Sequence, residues 1–199
     1  MYLLSKQGIR FYATHLYKYY KILKNKSIYL IRHGETDYNR NGVVQGSLID
    51  ADLNSWGRAQ AQAFFDAYQH VPFDKIYTSA LKRTKQSVQG FIDMGIPYES
   101  HVGLNEISWG NREGRTPNTM DNEYYRNLVL AWRNGEVDLP AEEGESPVQV
   151  RERQIPVIDL ILSRPEERTV LIAMHGRAIR ILLTTLFDEP LSEMDRYGH

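Results

Sequence analysis

Two apolar runs in this chain stop on the same dipeptide. Residues 27 to 34 read SIYLIRHG and residues 169 to 176 read TVLIAMHG, so each run of Ile, Leu, Val or Met ends in His-Gly. Short apolar runs closed by glycine are the pattern of strands buried on both faces. A third run, Phe73 to Ser79 (FDKIYTS), has the same character. Strands of this kind must share one sheet, and the segments between them carry helical spacing. That alternation predicts an α/β fold, a three-layer sandwich with a mostly parallel central sheet flanked by helices.

The helices follow from caps and periodicity. Asn54-Ser55 opens one that runs through Ala59, Ala63, Phe64 and Ala67 to about His70, and Ala80 to Met94 forms a second, stopped by Gly95-Ile96-Pro97. Asn118 to Arg133 places Tyr124, Leu128 and Trp132 at steps of four. Val148 to Leu162 reads as helix with a kink expected at Pro156, and Arg177 to Phe187 follows the last strand. The rest of residues 98 to 145 is irregular, and LPAEEGESP is a loop.

A chain of 199 residues with 42% hydrophobic content suffices for one domain with a substantial core. Cysteine is absent, which removes disulfides and thiolate metal sites and fits a reducing compartment. No apolar run approaches the roughly 18 residues of a membrane-spanning helix. The expected location is the cytoplasm. Seven Lys or Arg precede the first acid, Glu35, which leaves the remainder with 17 basic against 25 acidic residues. That balance excludes a bulk nucleic-acid binder, which needs a basic footprint. Ile9, Ala13, Leu16, Tyr20 and Leu23 form one apolar stripe, so residues 1–25 read as a basic amphipathic helical extension. It is expected to pack on the domain formed by 26–199, or to meet another copy of the chain. Oligomeric state is left open.

In open α/β sheets the ligand crevice lies beyond the carboxyl ends of the strands. His33 and His175 both end strands and should meet there. The third strand end continues as YTSALKRT, which brings Ser79 and, one turn into the helix, Arg83. With Arg32, two guanidiniums and two imidazoles converge. Such a cluster repels itself unless an anion neutralises it, and planar guanidiniums match phosphate oxygens. Glycines at the strand ends allow close backbone approach. Ser79 reads equally as helix N-cap or ligand contact, and Asn39 and Gln45 as turn residues or ligand contacts. A metal is not expected, because two arginines oppose a cation and no close His spacing occurs. These residues alone do not choose among Glu35, Glu106 and Glu113 for acid–base work.

LIRHGETDYN, SALKRT, LNEISWGNREG, GES and MHG occur in that order over about residues 27 to 188. The set resembles the histidine phosphatase superfamily, the phosphoglycerate mutase-like group. The resemblance implies that fold, a phosphohistidine mechanism and no cofactor. It casts His33 as nucleophile and Arg32, Arg83 and His175 as holders of the phosphoryl oxygens. Glu106 becomes the acid that protonates the leaving oxygen and then the base for water. Asn39, Gln45, Gly46 and Gly176 complete the expected phosphate contacts. A plainer reading pairs Glu106 with Arg112.

EISWGNREG is similar to the phosphatase branch, since mutases carry a basic, aromatic stretch there. The implied activity is a metal-independent phosphomonoesterase acting on a small phosphorylated metabolite. The alternatives are a cofactor-dependent phosphoglycerate mutase and a catalytically idle phospholigand-binding module. Tyr124, Tyr125, Trp132 and the EEGES loop are expected to form a lid. The family continues past the last helix, whereas this chain stops at DRYGH. The expectation is a chain cut short, or an edge covered by a partner or by the N-terminal helix.

Overall fold

The computed structural model describes residues 2–4 and 26–198. The helix expected between Ile9 and Leu23 lies outside the described residues. Five strands form one sheet in the order β1-β2-β5-β3-β4. They are β1 (Tyr2–Leu4), β2 (Ser27–Arg32), β3 (Lys75–Ser79), β4 (Tyr98–His101) and β5 (Thr169–Met174), and a short helix, α1 (Asp37–Arg40), follows β2. β1 pairs antiparallel with β2, and all other pairings are parallel. The register sets Arg32 opposite Met174, so His33 and His175 leave the sheet side by side.

Alternation along the central strands builds two buried faces. Ile28, Leu30, Val170, Ile172 and Met174 pack on α6 (Pro147–Leu162) and α7 (Gly176–Leu186). Ile31, Leu171 and Ala173 face the other way, onto Phe64 of α2 (Ser55–Tyr68) and the buried Phe91. The three layers expected from the strand–helix alternation are present. Asn54 caps α2 by accepting from Gly57 N–H at 2.8 Å. Asn118 and Ser146 cap α5 (Thr119–Arg133) and α6, each through a reciprocal capping box.

Three elements depart from the sequence reading. The helix expected over 80–94 breaks at Val88, giving α3 (Lys82–Ser87) and α4 (Gln89–Asp93). Ser87 Oγ donates to Arg83 O at 2.6 Å, and side-chain bonding to the preceding turn competes with helix propagation. Strand β4 (YESH) was expected to be irregular. It is a short edge strand, partly exposed and polar, so it carries no apolar signal and is held by backbone pairing to β3. Trp132 belongs to the core instead of a lid. It is fully buried among Leu128, Ile181, Leu191 and Met194, with its indole N–H donating to Leu139 O at 2.8 Å.

Residues 191–196 form a 3-10 turn that buries Leu191 and Met194. Asp195 of that turn receives Arg133, Arg177 and Arg180 and ties it to α5 and α7. Among the described residues no helix is long and apolar enough to cross a membrane.

Candidate active site

The parallel register of β2 and β5 brings the two histidine rings to a centroid distance of 5.0 Å. Each is held in one tautomer by its partners. His33 Nδ1 lies 2.7 Å from Gly34 O, and a carbonyl only accepts, so Nδ1 carries the proton and Nε2 keeps a free lone pair. His175 Nδ1 accepts from Arg83 Nε at 3.2 Å, which places its proton on Nε2, 2.8 Å from Ser79 Oγ. Burial, aided by nearby cationic Arg83, pushes the His33 pKa down to about 3. Burial likewise holds His175 well below its ordinary value, with His33 and Arg83 adding to the effect.

Arg83 is fully buried at the start of α3. Nη1 donates to Ile49 O at 2.6 Å and Nη2 to Gly46 O at 3.0 Å. With the bond to His175, three of its five N–H donors are used, leaving one on each terminal nitrogen. Burial lowers its pKa to about 10. Among the described residues no carboxylate lies within ion-pair distance of it, so a buried cation stands beside two neutral imidazoles with donors to spare. Arg32 is exposed at the strand end and likewise makes no ion pair among the described residues.

Glu106 reaches the same crevice from the loop after β4. Its Oε1 accepts from Ile107 N (3.0 Å) and Ala178 N (2.9 Å), and Oε2 from Arg177 N (3.2 Å). A carboxylate offers about four lone-pair sites. The remaining one is on Oε2, and the start of α7 fixes its direction. Arg112 is not the partner of Glu106. It binds Asp121 and Glu142 and stacks on Tyr124.

Asn39 and Gln45 are gathered by the buried Thr36, whose Oγ lies 3.1 Å from Asn39 Oδ1 and 2.8 Å from Gln45 Oε1. Among the described residues Asn39 Nδ2 has no hydrogen-bond partner. Gly46 does not offer its amide to a ligand. Its N–H donates to Glu113 Oε2 at 3.0 Å and its carbonyl accepts from Arg83, so it positions Arg83. A Cβ there would come within 2.3 Å of Glu113. Ser79 ends β3 and does not cap the helix, which starts three residues later; it holds His175 instead. Gly176 opens α7 directly after His175. Glu35 is tied to Arg40 and Asn54.

Sequence reasoning missed Thr36 and Ser87, and weighed Glu113 only as an acid–base candidate. Ser87 Oγ accepts from Gly34 N–H at 2.9 Å. Glu113 bridges the backbone at Gly46 and Leu48 to that at Trp109. Ser87 and Glu113 act by bonding backbone far away in sequence and have no local signature, whereas Thr36 is the N-cap of the short helix at 37–40, with side-chain partners three and nine residues on. Among the described residues no three carboxylates or imidazoles group as a metal site.

A cavity of about 520 Å³ opens on Arg32, His33, Gly34, Glu35 and Asn39. Another, of about 310 Å³, lies beyond Gln45 and is walled by Trp109, Arg112, Arg115, Tyr124 and Tyr125. The tyrosines expected in a lid thus border a recess next to the crevice. Tyr125 OH also accepts from Arg177 Nη2 at 3.0 Å.

A family model described as histidine phosphatase superfamily (branch 1) matches residues 28–199. The chain is 34% identical over 171 residues to 6-phosphofructo-2-kinase/fructose-2,6-bisphosphatase of Gallus gallus. The match covers 85% of this chain and 34% of that protein, so the chain spans about a third of its length. It is 28% identical to the 2,3-bisphosphoglycerate-dependent phosphoglycerate mutase of Bradyrhizobium diazoefficiens, over 82% of each chain. Among solved structures, mycobacterial glucosyl-3-phosphoglycerate phosphatase in complex with VO3 superposes with a TM-score of 0.74 at 29% identity, covering 85% of each chain.

Proposed function

The chain belongs to the histidine phosphatase superfamily, and from that we propose that it hydrolyses monoesters of small phosphorylated metabolites through a phosphohistidine on His33. The observation that carries this reading is Arg83, a buried guanidinium with two free N–H donors and no carboxylate partner among the described residues, set beside a histidine whose Nε2 is unprotonated. A buried cation with no direct ion pair is costly even with Glu106, Asp50 and Glu113 nearby, and a tetrahedral oxyanion would neutralise it. The VO3 complex of the mycobacterial relative, which holds an oxyanion, supports the same reading.

In the first step the Nε2 lone pair of His33 attacks phosphorus in line and the bond to the ester oxygen breaks. Glu106 Oε2 gives its proton to that oxygen, so the alcohol leaves neutral. Arg32, Arg83 and Asn39 hold the equatorial oxygens as their charge grows, while His175, bonded through both ring nitrogens to Arg83 and Ser79, orients Arg83. In the second step water loses a proton to Glu106 and attacks phosphorus. The P–N bond breaks, its electron pair returns to Nε2, and inorganic phosphate departs. Holding the His33 pKa at about 3 keeps the nucleophile unprotonated at neutral pH. The leaving group lies toward the recess lined by Gln45, Trp109, Tyr124 and Tyr125.

The test is phosphate release from a panel of phosphomonoesters in excess EDTA, for the wild type and for His33→Asn. We expect release without metal, and loss of on the order of a thousandfold or more in the variant at unchanged melting temperature. Substantial turnover by a folded His33→Asn protein, or activity abolished by EDTA, would sink this mechanism. The 28% identity to a mutase supports a second reading. Phosphate transfer between sugar-acid positions in the same panel, without net release, would establish it.

A further inference from the structure

Arg153, on α6, spends every donor it has around Glu106. Nη1 donates to Gly103 O (2.8 Å) and Asn105 O (3.0 Å), and Nη2 to Glu106 O (2.9 Å). The remaining two donors make a bidentate pair with Glu145, Nε to Oε1 at 2.7 Å and Nη2 to Oε2 at 3.0 Å. Five N–H groups thus serve five acceptors, which is the full capacity of a guanidinium. Glu145 carries the grip past Glu106. Its Oε2 also accepts from Ser108 N–H at 2.9 Å, and its own N–H donates to Ser108 O at 2.9 Å.

The loop is therefore held at residues 103, 105, 106 and 108, at and on both sides of Glu106. Gly103 and Gly144 are points of close approach. A Cβ at the first would lie 2.3 Å from Arg153 O, and at the second 2.4 Å from Ser108 O. Ser146, next to Glu145, caps α6 and fixes where Arg153 starts from. The carboxylate end of Glu106 is tied separately, to the first amides of α7. A clamp at the backbone and a tether at the carboxylate together set its one free lone pair.

We propose that Arg153 and Glu145 are positioning residues for proton transfer by Glu106: they touch neither phosphate nor leaving group, and they hold the acid in register with the ester oxygen. This rests on the phosphatase reading above. In kcat/KM, which reads phosphoryl transfer to His33 and not the later attack of water, a misplaced acid penalises only esters whose leaving oxygen must be protonated, because a good leaving group departs as an anion. Lysine at 153 keeps one charge and loses the planar fork.

The experiment compares kcat/KM for a glycerol-type alkyl phosphate with that for p-nitrophenyl phosphate in Arg153→Lys, Glu145→Gln and Glu106→Gln. We expect each clamp variant to lose on the order of tenfold or more on the alkyl ester and less than about threefold on the nitrophenyl ester. Vanadate affinity should stay at the wild-type value. In the Glu106→Gln background, Arg153→Lys should add no further loss on the alkyl ester. Equal losses on both esters, or losses that add to Glu106→Gln, overturn the proposal and leave a structural clamp. Glu145→Gln keeps an acceptor for Ser108 N–H, so it serves if Arg153→Lys fails to fold. A wild type inactive on both esters removes the phosphatase reading and the proposal with it. An active wild type with equal losses removes only the proposal.

Discussion

His33 and His175 are buried imidazoles next to a guanidinium, and that environment has a consequence for stability. Their native pKa values are held below the ordinary 6.5, His33 at about 3. In the unfolded chain both titrate near 6.5. Between those limits the unfolded state binds protons that the native state refuses, so stability rises with pH and falls on acidification. The slope is at most about 1.4 kcal/mol per pH unit for each histidine. Denaturant melts in phosphate-free buffer should show stability dropping from pH 7 toward pH 4, and a shallower slope in His33→Asn. Identical slopes in the two proteins would show that His33 is not held neutral. At this scale much of the site is legible in the sequence. His33, His175, Arg32 and Arg83 stand at strand ends and the first turn of a helix, and the register of adjacent strands places them. Glu106 is not legible from local pattern, because the amides that orient it come from residues 177 and 178.

At the scale of elements, the loop that delivers His33 is wedged against the start of α2. A Cβ on Gly34 would lie 2.5 Å from Gly57 O, and one on Gly57 would lie 2.0 Å from Glu35 O. Both contacts are to backbone, which cannot turn aside like a flexible side chain. Gly57→Ala must therefore push α2 and the 33–35 loop apart, and overpacking of this kind costs about 1–3 kcal/mol. We expect a lower melting temperature together with reduced kcat/KM on every ester, since His33 moves with the loop. An unchanged kcat/KM at a lowered melting temperature would show the loop to be insulated from α2. The elements misread in the sequence fail for related reasons. α3 ends early because Ser87 bonds back to Arg83 while accepting from Gly34, a contact between distant segments. Trp132 shares a stripe with Tyr124, and periodicity alone does not tell a stripe facing the core from one facing a cleft.

Across the whole molecule, stability and chemistry occupy different layers. The core beneath the sheet includes Leu183, fully buried on α7 with Leu182, Ile179 and Leu186. Truncation there leaves a cavity and costs about 2–5 kcal/mol. Leu183→Ala should lower stability by that amount, read from denaturant melts. It should keep kcat/KM within about twofold of wild type, because only the first turn of α7 touches the site. A collapse of activity in the still-folded variant would show that the site depends on the far end of that helix. The C-terminal turn is bound in the same manner, through Leu191, Met194 and the three arginines on Asp195.

Three apolar runs, two of them ending in His-Gly, determined the sheet and its layers, and their ends determined that two imidazoles and two guanidiniums would share one crevice. Those properties depend on short-range pattern and on the geometry of parallel strands, which the chain states locally. Tertiary structure alone decided the tautomer of His175, the use of Gly46 to hold Arg83, and the aim of Glu106. Each of those rests on hydrogen bonds between residues 37 to 96 positions apart. Such bonds exist only once the layers have closed.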